Sequence, residues 1–145
     1  MKILGIDFGL ARVGLAVTDP EGCMAFPVKT ITRTTRKALF DELLAVISDR
    51  GVEKIVVGLP FPPEGIPGRE AETVRQIENF VQSLARRTPV PIELVDETLS
   101  SAQAEEDLRA AGLSGKRLRE ALDAQAAVRI VNTFLGGRKG EPCAT

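Results

Sequence analysis

Residues 2 to 32 read KILGIDFGLARVGLAVTDPEGCMAFPVKTIT: three short apolar runs divided by turn chemistry. The first, KILGIDF at 2–8, is continuous and ends in Asp7 with Gly9 just beyond, the pattern of a buried strand. In RVGLAVT, Arg12–Thr18, period-two spacing sets Val13, Leu15 and Val17 on one face of a second strand. Asp19-Pro20-Glu21-Gly22 is a turn signal, and AFPVKTIT at 25–32 is a third strand whose Pro27 points to an edge position. Connections this short predict an antiparallel three-stranded meander.

Outward from the meander the period changes. Leu39, Phe40, Leu43, Leu44 and Ile47 follow helical spacing over Arg36 to Arg50, and Gly51 stops the helix. KIVVGL at 54–59 is a continuous apolar run, hence a central strand. A loop rich in Pro and Gly, Pro60–Gly68, leads into a helix over Arg69–Arg87 striped with Val74, Ile77, Phe80, Val81 and Leu84. PIELV at 91–95 is a fifth strand ending at Asp96-Glu97. Ser100 with Gln103 makes a capping box for a helix over 101–111, Gly112–Gly115 breaks it, and a last helix spans Lys116–Leu135. With no repeats, residues 1–135 are expected to form one domain and residues 136–145 a flexible C-terminal tail.

The order β-β-β-α-β-α-β-α-α predicts an α/β fold. Two right-handed crossovers after the meander give a five-stranded mixed sheet ordered 3-2-1-4-5, with helices on both faces. Strands 1, 4 and 5 are then parallel, and their carboxyl ends share the rim where α/β proteins place ligands.

Composition narrows the chemistry. A chain of 145 residues, 43% of them apolar, buries a core without staples. Its two cysteines, Cys23 and Cys143, lack the company that a zinc site or a disulfide framework needs. A reducing cytoplasm is the expected location. Neither a membrane span nor a signal peptide is visible. The absence of histidine excludes Ser-His-Asp triads and His-based acid–base chemistry, which leaves carboxylate–metal chemistry as the simplest catalytic option. Net charge is −1; setting aside three clustered acids would leave the remainder at +2, compatible with a nucleic-acid partner.

Those three acids follow from the topology. Asp7 ends strand 1, Asp96-Glu97 ends strand 5, and the Pro60–Gly68 loop leaves strand 4 between them. In the last helix Asp123, Ala127, Ile130 and Phe134 fall on one stripe, so Asp123 heads a face directed at the protein. An acid there is costly unless paired or metal-bound. Singly, each has an ordinary reading. Asp7 can satisfy amides of the FGLARVG hairpin, Asp96 or Glu97 can solvate a strand end, and Asp123 can pair with Lys116 or Arg119. Their convergence on one rim favours a site. Hard divalent cations prefer carboxylate oxygens, and two of them about 4 Å apart suit phosphodiester hydrolysis. Gly68 and the amides opening the second helix could receive a phosphate, with Arg12, Arg69, Lys116 and Arg117 as candidates to hold a nucleic-acid backbone.

Four stretches resemble one family. GIDFGLARVGLA at 5–16, IVVGLP at 55–60 with Gly65 and Gly68 beyond, VDETLSSAQAE at 95–105 and LDAQAAVRIVNTFL at 122–135 are similar, in order, to the motifs of the bacterial YqgF/RuvX proteins. These are relatives of the RuvC Holliday junction resolvase in the RNase H-like superfamily. The resemblance implies a three-layer RNase H-like fold, with Asp7, Glu97 and Asp123 as catalytic and metal-holding positions. It also implies magnesium, with manganese as the alternative ion, and a structured nucleic-acid substrate, usually the 5′ end of pre-16S rRNA. One departure stands out: Thr98 follows Glu97 where the family commonly has arginine, which removes a phosphate-directed charge beside the site.

Three other readings compete. Resolution of branched DNA, the four-way Holliday junction, uses the same chemistry but needs a dimer, and the sequence leaves monomer and homodimer open. A sugar-kinase or actin-like ATPase shares the GIDFG opening but needs two copies of this domain. A non-catalytic nucleic-acid-binding module is disfavoured by the presence of all three acids.

Overall fold

The computed structural model describes residues 1–9, 11–60, 69–97, 110–112 and 114–136, and of residues 60, 69–73, 96, 97, 116, 119 and 120 the backbone alone. Its elements in chain order are β1 (Ile3–Phe8), β2 (Arg12–Thr18), β3 (Ala25–Thr32), α1 (Arg36–Asp49), β4 (Lys54–Pro60), α2 (Arg69–Ala85), β5 (Ile92–Glu97) and α3 (Gly115–Gly136). The sheet runs β3-β2-β1-β4-β5. β1 is antiparallel to β2, β2 to β3, and β1, β4 and β5 are parallel. The topology expected from the order of apolar runs is the one found.

Local chemistry explains the boundaries. Thr35 caps α1 by accepting the amide of Ala38 at 3.1 Å, and the chain leaves the helix through Gly51 at φ +62. In the β2–β3 turn the Asp19 carboxylate accepts the amide of Cys23 at 2.7 Å and that of Met24 at 3.3 Å. The Cys23 amide is the chief reason the Asp19 carboxyl titrates below its ordinary value. Pro27 sits on the edge strand as expected. The β2–β3 register shifts between Leu15 and Ala16: Leu15 faces Lys29 and Ala16 faces Pro27, so Val28 is the extra residue of a bulge.

Two ends differ from expectation. β5 does not stop at Val95 but runs through Asp96 and Glu97, because pairing with β4 continues through Leu59 and Pro60. α2 closes at Ala85, two residues short of Arg87. The expected helix over 101–111 falls largely, and the expected tail over 136–145 almost entirely, outside the described residues.

The sheet has two unlike faces. On one, Leu4, Ile6, Val13, Leu15, Ile55 and Val57 pack with Leu39, Leu43, Ile77 and Leu84 of α1 and α2, all at or near zero exposure. On the other, Ile3 and Val56 meet Ile130 and Val131 of α3. Glycines line that second face. A Cβ on Gly5 would lie 2.8 Å from the Ala127 carbonyl oxygen, and one on Gly58 would collide with Ile130. α3 therefore rests nearly on the sheet backbone. No helix among the described residues is long and apolar enough to cross a membrane.

Candidate active site

Asp7, half-buried, is the penultimate residue of β1, directly opposite Gly14 in the antiparallel register. Opposed residues of an antiparallel pair share a face, so Asp7 and Gly14 both look toward α3. What lies over Gly14 is Asp123. A Cβ on Gly14 would stand 3.1 Å from the Asp123 Cβ and collide with its carbonyl oxygen. The bare backbone of β2 thus seats the first half of α3, with Asp123 over the residue that faces Asp7 across the β1–β2 ladder.

The hairpin joining β1 to β2 is held firmly. Gly9 donates its amide to the Arg12 carbonyl at 2.9 Å, and Arg33 donates its own amide to Ala11 at 2.9 Å and a guanidinium N–H to Gly9 at 3.0 Å. Arg12, which opens β2, places Nε 2.7 Å from Asp123 Oδ2. At this length it is a charge-assisted hydrogen bond as well as an ion pair. It is half-shielded, with side chains 31% and 20% exposed. The sequence named Lys116 or Arg119 as partners for Asp123, on helical proximity. The partner found is Arg12, 111 positions away in sequence.

Glu97 is the last residue of β5, paired in register with Pro60. Ile6 aligns with Val57 and Val57 with Leu94, so Glu97 lies on the same rim as Asp7, across β4. Two strand spacings, about 9–10 Å, separate the strands that carry them. Arg69 opens α2 on that rim and Lys116 lies in the first turn of α3; the side chains of these two and of Glu97, and Gly68 as a whole, lie outside the described residues. Arg117 is exposed and is drawn away, lining a groove of about 850 Å³ between α3 and the edge strand β3. The structure thus gathers Asp7, Arg12 and Asp123, with the Glu97 backbone nearby, and leaves Arg117 outside the group.

Sequence reasoning missed the glycine seat. Its signal was present: Gly5, Gly14 and Gly58 each interrupt an apolar strand, at positions that fall on one face of the sheet. It also missed a second cluster beside the hairpin, Arg33 and Arg36 over the rings of Phe8 and Phe40, because no single motif announces it.

Among the described residues no three acidic, cysteine or histidine side chains group closely enough to hold a metal. Asp7 and Asp123 supply two carboxylates on one face, and the third expected ligand, Glu97, has its side chain outside that set. The donor set fits a hard divalent cation, and the guanidinium on Asp123 marks the place where positive charge is already favoured.

A mixed five-stranded sheet ordered 3-2-1-4-5 with helices on both faces is the RNase H-like fold. Solved structures share the fold. Thermus thermophilus RuvC in complex with a Holliday junction substrate superposes with a TM-score of 0.62 at 19% identity, covering 97% of each chain. The fowlpox virus resolvase with its junction DNA gives 0.50 at 9% identity, over 93% of this chain and 99% of that one. The chain belongs to the RuvX family: residues 1–137 match the model described as RuvX, Holliday junction resolvase. Relatives that carry the provisional name pre-16S rRNA nuclease are close. That of Nitratidesulfovibrio vulgaris strain Miyazaki F is 52% identical over 135 residues, 93% of each chain, and that of Maridesulfovibrio salexigens 50% identical over 135 residues, 93% of this chain and 98% of the other. The chain is accordingly a hydrolase of the nuclease type.

Proposed function

We propose that this nuclease hydrolyses phosphodiester bonds of structured RNA at the rim that carries Asp7, Glu97 and Asp123, and that its substrate is the 5′ end of pre-16S rRNA. The observation that carries the reading is the seating of α3 on Gly14, which brings Asp123 to the face and level of Asp7. The names of the relatives supply the substrate. Glu97, two positions beyond Val95 of the α3-side core, has the strand parity of that face.

Asp7, Glu97 and Asp123 would hold magnesium, or manganese. Bound there, a pair of such ions would activate the attacking water and stabilise the leaving oxygen. The residues of the chain do the rest. Arg12 neutralises Asp123 when no metal is present and turns to a substrate phosphate when one is. The Gly9–Arg33 contacts fix the hairpin, so the carboxylate of Asp7 is positioned before substrate arrives. Gly68, Arg69 and Lys116 would serve as phosphate contacts, and Thr98 supplies none of the charge that arginine would. Residues 1–135 act as one domain in the cytoplasm.

A second reading, cutting of four-way DNA junctions, rests on the description of the matched family. The test offers labelled pre-16S RNA and a DNA four-way junction together, with magnesium, beside an Asp7→Asn control. RNA cleavage that leaves a 5′-phosphate and 3′-hydroxyl and is lost in the control is the expected result. Paired symmetric nicks in the junction would move the assignment to resolution. Metal-dependent cutting of neither would contradict both.

A further inference from the structure

Asp7 stands where the sheet divides. β1 pairs with β4 from Ile3–Lys54 to Ile6–Val57 and no further, whereas β4 goes on with β5 to Pro60–Glu97 and β1 goes on with β2 to Phe8–Val13. Sequence chemistry accounts for the break. Lys54 donates its amide to the Lys2 carbonyl, and two-residue steps along both strands bring Pro60, which has no N–H, against the carbonyl of Phe8. In the sheet, the last two residues of β1, Asp7 and Phe8, are thus paired on the β2 side alone.

An aromatic stack sits at the same point. Successive side chains of a strand point to opposite faces, so Asp7 looks toward α3 and Phe8 toward α1 and α2. The Phe8 ring stacks on Phe80 of α2, with centroids 4.4 Å apart and planes inclined by 26°. Phe80 stacks in turn on Phe40 of α1 at 5.7 Å, and both of these rings are buried. The Arg33 guanidinium lies over the Phe8 ring at 4.7 Å, and the same side chain donates to the Gly9 carbonyl at 3.0 Å. Phe8 is tied in this way to two core rings and, through Arg33, to the residue that follows it. Such ring pairs stabilise beyond the area they bury and favour a few arrangements over others. Enclosure alone would hold the ring less firmly. Phe8 is half-buried and opens on a cleft of about 420 Å³ that Arg33, Phe40 and Phe80 also line.

We propose that Phe8 is a positioning residue for the metal site: its stack on Phe80 holds the end of β1 where the ladder to β4 is lost, and so fixes the Asp7 carboxylate relative to Asp123. The inference rests on the nuclease reading above and adds to it a residue on the far face of the sheet that touches neither metal nor substrate. A shift of Phe8 passes to Asp7 through one peptide bond, and the ligand geometry of magnesium tolerates little displacement.

Manganese binding, read from the free-ion electron paramagnetic resonance signal, and steady-state cleavage of pre-16S RNA in magnesium are compared in Phe8→Leu, Phe8→Tyr and Val46→Ala. Leucine keeps an apolar group and removes the ring, tyrosine keeps the ring, and Val46→Ala loosens the same core at a residue outside the stack. Phe8→Leu should weaken manganese binding and lower kcat, each by about tenfold, with KM for RNA unchanged, and Phe8→Tyr should restore both. Val46→Ala should lower the urea midpoint comparably, with metal binding and kcat as in the parent protein. Parent-like manganese binding and kcat in Phe8→Leu would overturn the positioning role, and so would a loss that Val46→Ala reproduces or that tyrosine fails to restore. Asp7→Asn separates the two levels. If it weakens metal binding and cleavage while Phe8→Leu does neither, the positioning role falls and the nuclease reading stands. If Asp7→Asn leaves both intact, the nuclease site itself is misplaced and the role of Phe8 falls with it.

Discussion

Asp123 and Arg12 show what one residue can disclose. Helical spacing alone directed Asp123 at the protein, since it heads a stripe completed by buried Ala127 and Ile130. The identity of its partner was illegible, because Arg12 comes from a strand 111 positions earlier and reaches the acid only when α3 lies on β2. This ion pair is partly exposed, so its contribution to stability is modest, about 1 kcal/mol or less. At the proposed metal site its effect would be larger: the Arg12 guanidinium would have to leave Asp123 Oδ2 before a metal ion could bind there. Arg12→Gln should lower the urea midpoint slightly without metal, and excess magnesium should raise it more in the variant than in the parent protein. Equal magnesium stabilisation of both would show that Arg12 does not compete for Asp123.

At the scale of elements, the decisive contact is between a helix and a strand with no side chains between them. The strands were legible as apolar runs, and β2 and β3 begin and end at the residues the pattern indicated. That α3 packs on the Gly5–Gly14–Gly58 face was not read, although a glycine in a buried strand often marks the close approach of another backbone. Gly14→Ala should cost about 1–3 kcal/mol by overpacking, displace Asp123 and abolish cleavage. Gly51→Ala provides the contrast. Its Cβ would meet nothing within 4 Å, but the positive φ strains alanine, so about 1–2 kcal/mol should be lost with cleavage retained. Urea denaturation beside the RNA assay checks the pair, and an active Gly14→Ala protein would contradict the seating argument.

For the whole molecule, chain order was enough to derive the sheet. Two short connections make a three-stranded meander, two crossovers have a fixed hand, and the order 3-2-1-4-5 follows. The same order explains why the proposed site falls on one rim: β1, β4 and β5 end there, and the β1–β2 hairpin turns there. Period and connection length do not encode distances across a sheet, so the arginine–phenylalanine cleft behind Asp7 was beyond reach. Its residues come from four separate elements and segments that only folding unites. The acids and the cleft share the hairpin, one on each face.

Central to the proposed centre is that Asp7 and Asp123 form one metal-binding face across Gly14. Manganese binding, followed by the loss of the free-ion electron paramagnetic resonance signal, tests this in the parent protein, Asp7→Asn and Asp123→Asn. Each substitution should weaken binding by at least about tenfold, about 1.4 kcal/mol, because each removes one anionic ligand of a shared site. Binding in either variant as tight as in the parent would mean that the two carboxylates do not act together, and the proposed centre would be wrong.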